Sequence, residues 1–258
     1  MKVLRYSLDQ LSGVVKKNNI KSQFITNKPY PHLEFGNVFS NKLLRNVVEE
    51  IWRVKNEKNL DWSKMCTNDF TKIGESIVKL TDFLVSEEWV NFLEEVTGID
   101  KLISDPSWFA SGINFEPRGA HLQPHTDFNV VDKIGWRRLN LLLYLQEGWK
   151  DEWGGHLELW PKPPNECEED DVVIRKKPEF NNMIIFETSD ISYHGFDIVR
   201  CPQDKARMVI SCYYYSGNQG KHSNRQQGTK YVDWGKRDNK KDYSGRRGTG
   251  WKEIEEES

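Results

Sequence analysis

The 258-residue sequence predicts a mainly β fold with helical support (α+β), of the sandwich, barrel or jelly-roll kind. Two observations carry that prediction. Between Trp108 and Ser216 the chain breaks into short apolar or alternating runs separated by Gly, Pro and Asn punctuation. Before about residue 105, apolar residues instead recur at three- and four-residue spacing. With 37% hydrophobic and 29% charged residues, the composition suits one globular domain, and the length allows a core of full size.

The elements follow in order. Residues 1–105 form a helical support region integral to the domain. One helix follows Ser40, with Leu43, Leu44, Val47, Val48, Ile51 and Val54 on its apolar face. Another starts at Ser86, an N-cap with Glu87 and Glu88 in its first turn, and Gly98 stops it. Both are expected to cover a sheet. Residues 106–217 supply the strands: Ser111–Glu116, Arg138–Leu145, His156–Pro161, Asp171–Lys176, Met183–Glu187 and Ala206–Tyr215. Turns at Gly154-Gly155, Pro161-Lys162-Pro163-Pro164 and Asn181-Asn182 punctuate them. Residues 218–258 read as a solvated tail, first basic and then acidic at Glu253-Ile254-Glu255-Glu256-Glu257. There is no internal repeat.

Bulk properties narrow the function classes. A net charge of -2 gives no overall electrostatic bias toward nucleic acid or membrane. No run approaches the ~18 apolar residues of a membrane helix. The first residues lack an apolar stretch and a small-residue cleavage site, so a secretory signal is not expected. Cys66, Cys167, Cys201 and Cys212 are scattered without a C-x-x-C pair, which points to reduced thiols and a cytoplasmic location. The motifs H-E-x-x-H, G-x-x-x-x-G-K-[ST] and G-x-S-x-G are absent from the sequence.

The chemistry concentrates in Gln123-Pro124-His125-Thr126-Asp127. On an extended strand, residues two apart project to one face, so His125 and Asp127 reach one ion together. His194, just beyond the apolar run Met183–Glu187, fits as the third ligand. Two histidines and one carboxylate leave coordination positions open, the arrangement of non-haem Fe(II) oxygenases. Alone, H-x-D is a weak signal, and a lone His125 is more often a surface or hydrogen-bonded histidine. Strand parity adds to it. Arg207, Val209, Ser211 and Tyr213 share a mixed polar face, while Ala206, Met208, Ile210, Cys212 and Tyr214 share an apolar one. A guanidinium on the first face can grip a carboxylate with two parallel hydrogen bonds. The ordinary alternative for Arg207 is a salt-bridged edge residue. The run 138–145 divides likewise: Leu139, Leu141, Leu143 and Leu145 oppose Arg138, Asn140, Leu142 and Tyr144. Tyr144 is either a donor to a bound carboxylate or a core tyrosine satisfied elsewhere.

His125-Thr126-Asp127, Leu143-Tyr144-Leu145, Gly154-Gly155-His156-Leu157-Glu158-Leu159-Trp160-Pro161, Ser189-Asp190-Ile191-Ser192-Tyr193-His194 and Arg207 come in that order. In this the chain resembles the prolyl 4-hydroxylase-like branch of the Fe(II)/2-oxoglutarate-dependent oxygenases. The resemblance covers roughly residues 110–216. It implies a double-stranded β-helix, or jelly roll, with Fe(II) on His125, Asp127 and His194. Arg207 and Tyr144 would hold the far carboxylate of 2-oxoglutarate; Leu142, Leu157 and Val209 would line its methylenes. Ser211 and Tyr213 would lie nearer the metal, and Asn114 and Tyr213 would face substrate. The implied activity is a dioxygenase that hydroxylates a protein or peptide residue, foremost a prolyl residue. It would consume O2 and convert 2-oxoglutarate to succinate and CO2, with ascorbate as an optional reductant. Asp127 argues against the halogenase variant, where a small residue replaces the carboxylate.

Three features pull against parts of this. Collagen-type enzymes carry Lys at the anchor, so Arg207 points away from them, and Lys205 is a second-choice anchor by parity. The tyrosine often found near positions 111–116 in prolyl hydroxylases is replaced here by Asn114 and Phe115. The basic stretch 230–247, with Tyr231, Trp234 and Tyr243, would suit a nucleic-acid base as substrate. Other readings are therefore the same chemistry on a small molecule or nucleic-acid base, and a catalytically silent metal-binding jelly-roll module or zinc hydrolase. His121 is read as an exposed loop histidine and His156 as pointing away from the pocket; neither is taken as a ligand.

Overall fold

The structure is a computed structural model that describes residues 2–57, 66–171, 173–232 and 249–250. Among the described residues five α-helices support it: α1 (Leu8–Lys17), α2 (Ile20–Thr26), α3 (Asn41–Glu57), α4 (Glu75–Leu84) and α5 (Glu87–Thr97). Strands β1 (His32–Gly36), β2 (Cys66–Thr67) and β3 (Leu102–Ser104) come from the same half of the chain. The core strands are β4 (Gly112–Pro117), β5 (His121–Thr126), β6 (Val130–Val131), β7 (Gly135–Tyr144), β8 (Leu157–Trp160), β9 (Ile174–Lys176), β10 (Asn182–Glu187), β11 (Tyr193–Phe196) and β12 (Ala206–Ser216). Among the described residues two short strands follow, β13 (Lys230–Tyr231) and β14 (Thr249–Gly250).

Two antiparallel sheets form the double-stranded β-helix. The larger runs β1-β10-β7-β12-β4-β2, with β3 beside β12 and β6 beside β7. The smaller runs β13-β5-β11-β8-β9, with β14 also on β5. Period-two alternation makes the larger sheet two-faced. Its outer face gives Leu139, Leu141, Leu143, Met183, Ile185, Met208, Ile210, Cys212 and Tyr214 to one core with the helices. Its inner face gives Leu142, Tyr144, Ile184, Phe186 and Val209 to a second core, closed by Leu157 and Leu159 of the smaller sheet. The expected parity holds from Leu139 to Tyr144 and from Ala206 to Tyr214, and breaks where the register shifts beside Arg137.

The helices form for local reasons. Ser86 Oγ accepts from Trp89 N at 3.3 Å, and the chain leaves α5 through Gly98 at φ 72°. That backbone is left-handed, which suits glycine. In α3, Leu43, Leu44, Val47, Ile51 and Val54 are buried on one face. The first half is less purely helical than the periodicity suggested. His32–Gly36 pairs along β10 as an edge strand of the large sheet. No helix among the described residues is long and apolar enough to cross a membrane.

Candidate active site

The triad is assembled by strand pairing. β5 carries His125, and β11 lies antiparallel to it with His194 directly opposite His125. His194 therefore sits on a strand of its own rather than merely past β10. Gly195 lets the strands approach: a Cβ there would lie 2.6 Å from Leu122 O. Ligand atoms of His125, Asp127 and His194 all fall within 4.8 Å of one another, and all three residues are buried. The Nε2 atoms of His125 and His194 stand 3.5 and 3.7 Å from the Asp127 carboxylate.

Each imidazole is oriented by a carbonyl behind it. His125 Nδ1 lies 2.8 Å from Gln123 O and His194 Nδ1 lies 3.0 Å from Ser192 O. A carbonyl only accepts, so in the neutral ring each Nδ1 holds the proton and each Nε2 keeps its lone pair. Burial, then the neighbouring His125, pushes the His194 imidazole down to about 4 against the pull of Asp127. Burial would raise the Asp127 carboxyl. Arg137, His125 and His194 together outweigh it and hold the group well below the usual carboxylate range. Two imidazole nitrogens and one ionised carboxylate, converging and buried, fit a divalent ion in the facial arrangement.

A cationic and amide shell supports Asp127. Arg137 Nη1 is 3.1 Å from Oδ2, and Asn140 Nδ2 donates to Oδ2 at 3.3 Å. The Arg137 guanidinium lies between the rings of Phe128 and Tyr213, 3.8 and 3.7 Å from their centroids. From the C-terminal side, Gln226 Nε2 donates to Thr126 O at 3.2 Å and to Asp127 O at 3.0 Å. Asn129 N donates in turn to Gln226 O at 2.9 Å.

The second half of the site lies along the inner wall. Arg207 is opposite Glu116, Val209 opposite Tyr144, Ser211 opposite Leu142 and Tyr213 opposite Asn140. Arg207 thus marks one end of the wall and the metal triad the other. Arg207 Nε donates to Gly155 O at 2.8 Å, Nη1 pairs with Glu116 Oε2, and Nη2 donates to Tyr144 Oη at 3.4 Å. Burial pushes the Tyr144 hydroxyl up to about 12 despite Arg207, so it stays protonated. Leu142, Leu157 and Val209 line the apolar stretch. Asn114 Nδ2 donates to Ser211 Oγ at 3.1 Å on the same face, and Tyr213 lies beside Arg137.

Several expectations need correction. His121 is buried on β5, not exposed in a loop. Lys205 pairs with Asp204 at the surface, which removes it as an anchor. Most described residues after Ser216 are exposed, but Ser223 and Gln226 are buried. Tyr231 is exposed, and its ring lies 5.2 Å from that of His125. Of the basic stretch, Trp234, Tyr243 and residues 233–248 lie outside the described residues.

Four partners escaped the sequence reading. Asn140 and Glu116 were legible in principle, because each shares the parity of the inner face. Arg137 was not: the register shifts between Tyr214 and Tyr215, which breaks the alternation that would have placed it. Gln226 is about 100 residues from the loop it braces, and a lone glutamine carries no signal.

Comparison with known proteins agrees with this geometry. Residues 111–215 match the family described as the 2OG-Fe(II) oxygenase superfamily. Over 215 residues, 77% of this chain, the sequence is 26% identical to prolyl 3,4-dihydroxylase OGFOD1 of Ostreococcus tauri; the match spans 40% of that protein. The fold resembles prolyl 4-hydroxylase from Phytophthora capsici at a TM-score of 0.56 and 16% identity, covering 83% of this chain and 68% of that one. It also resembles a Trichoplax adhaerens prolyl hydroxylase in complex with a hypoxia inducible factor oxygen degradation domain peptide fragment. There the TM-score is 0.55 at 15% identity, covering 82% of this chain and 94% of the other. Residues 111–215 of this chain thus match the 2OG-Fe(II) oxygenase superfamily, and prolyl hydroxylases are among the proteins it is similar to.

Proposed function

We propose that this protein is an Fe(II)- and 2-oxoglutarate-dependent dioxygenase that hydroxylates a prolyl residue of a protein or peptide. The observation that carries the reading is the two-ended wall. Two imidazole nitrogens and an ionised carboxylate converge at one end, and a buried guanidinium with a protonated tyrosine hydroxyl stands at the other. A hydrolytic metal centre has no use for the second end. The prolyl specificity is supported by the Ostreococcus relative, a prolyl 3,4-dihydroxylase.

His125, Asp127 and His194 would hold Fe(II), which when bound supplies the oxidising chemistry that couples O2 to decarboxylation of 2-oxoglutarate. The chain's own residues position and exclude. Arg207 and Tyr144 would grip the distal carboxylate of the co-substrate, and Leu142, Leu157 and Val209 would keep water from its methylenes. Ser211 would lie nearer the metal. Arg137 and Asn140 keep Asp127 ionised and fixed. Asn114 and Tyr213, on the inner wall, are our candidates for substrate contact.

The test is turnover of 2-oxoglutarate to succinate with Fe(II) and O2, over a panel of proline-containing peptides followed by mass spectrometry. The expected result is succinate together with a peptide heavier by one oxygen, with both signals lost in His125→Ala and Arg207→Ala. Succinate formation that persists unchanged in both variants would sink the assignment. The hydroxyproline isomer recovered distinguishes attack at C3 from attack at C4.

A further inference from the structure

Arg207 already has a carboxylate. Glu116 faces it across the β4–β12 ladder and pairs with Nη1 at the wall's closed end. Arg207 is 2% exposed and Glu116 is 8% exposed, so water screens neither. Of the five guanidinium N–H groups, Gly155 O, Glu116 and Tyr144 Oη take three among the described residues, leaving two donors for an incoming ligand. The positive charge, however, is already balanced. A ligand carboxylate entering here puts two anions on one cation in a site that excludes water, and like charges so placed do not both stay ionised.

On the reading of Arg207 as the co-substrate anchor, we propose that Glu116 is its built-in counter-ion and takes up a proton when the distal carboxylate of 2-oxoglutarate docks. Co-substrate binding is then linked to pH through a residue remote from the metal. Glu116 is the group that yields because burial already favours its neutral form, with Arg207 alone opposing. Once protonated it changes from acceptor to donor, so it adds a hydrogen bond where it would otherwise repel. Tyr144 approaches from β7 and Cys66 from β2, and burial raises both to about 12 and about 11, so neither changes charge near neutrality. Asp197 acts on Arg207 and Glu34 on Tyr144 from farther off.

The experiment is calorimetric titration of 2-oxoglutarate into anaerobic Fe(II)-loaded protein, in two buffers of different ionisation enthalpy. Wild type is expected to take up about one proton per ligand, with Kd weakening by up to about tenfold per pH unit. In Glu116→Gln the uptake disappears and the pH dependence flattens, while binding persists at high pH. Wild-type heats need no variant, so a misfolded Glu116→Gln does not leave the question open. Binding without proton uptake, or an unchanged uptake in Glu116→Gln, overturns the role of Glu116 and leaves the proposed function standing. Failure of wild type to bind 2-oxoglutarate at all overturns both.

Discussion

His194 shows how strongly the triad is set up for a metal. Its imidazole is pushed down to about 4, below the ordinary histidine value, mainly by burial and then by His125. A metal ion competing for Nε2 therefore displaces no proton at neutral pH. The stability consequence follows by linkage. Between the ordinary histidine value, ~6.5, and about 4, the unfolded chain binds a proton that the folded metal-free chain refuses. Stability of the metal-free protein should thus fall as pH drops through that window. Asp127, held low, adds a loss only in stronger acid. Thermal melts of chelator-treated protein from pH 7 to pH 4 check this. A flat Tm across the window, or one that rises toward acid, contradicts the burial of a neutral His194.

At the scale of elements, the site depends on how closely β11 lies on β5. Gly195 follows His194, and a methyl group there would meet Leu122 O at 2.6 Å and the Gln123 and Pro124 backbone at 3.1 Å. Those neighbours are main chain and cannot swing aside. Gly195→Ala should separate the two strands, cost on the order of 1–3 kcal/mol of stability, and weaken metal binding by roughly 10–100-fold. Chelator competition with Fe(II) or Mn(II) reads the second effect. Wild-type affinity in the variant would show that the strand spacing does not set the distance between the histidines. The loop after β5 has a separate support. Gln226 bridges Thr126 and Asp127 through their carbonyls, which ties residues beyond β12 to the triad.

At the scale of the molecule, the helices act as the outer clamp of the large sheet. Tyr214, on the outer face of β12, accepts from Trp89 Nε1 of α5 at 3.0 Å and donates to Leu84 O of α4 at 2.8 Å. One hydroxyl thus joins two helices to the strand that also carries Arg207. Tyr214→Phe would strand a buried indole N–H and a carbonyl, at a cost of roughly 1–3 kcal/mol. Urea unfolding should show the midpoint fall with an unchanged slope. An unshifted midpoint would mean that the helix layer does not depend on this bridge.

The sequence by itself determined the mainly β core, the Ser86-to-Gly98 helix and the two faces of β7 and β12. These follow from short-range rules, capping and period-two alternation, that need no knowledge of what lies opposite. It likewise marked His125, Asp127, His194, Arg207 and Tyr144, because ligand chemistry and strand parity are local properties. Only the tertiary structure decided which residues surround them. Arg137 reaches Asp127 past a register shift, Gln226 arrives from about 100 residues away, and Glu116 meets Arg207 across a ladder. The N-terminal half likewise supplies an edge strand that apolar periodicity did not reveal, since its partner β10 lies some 150 residues on. Ligand type is written in single residues, whereas the charge balance around a ligand depends on contacts that only folding creates.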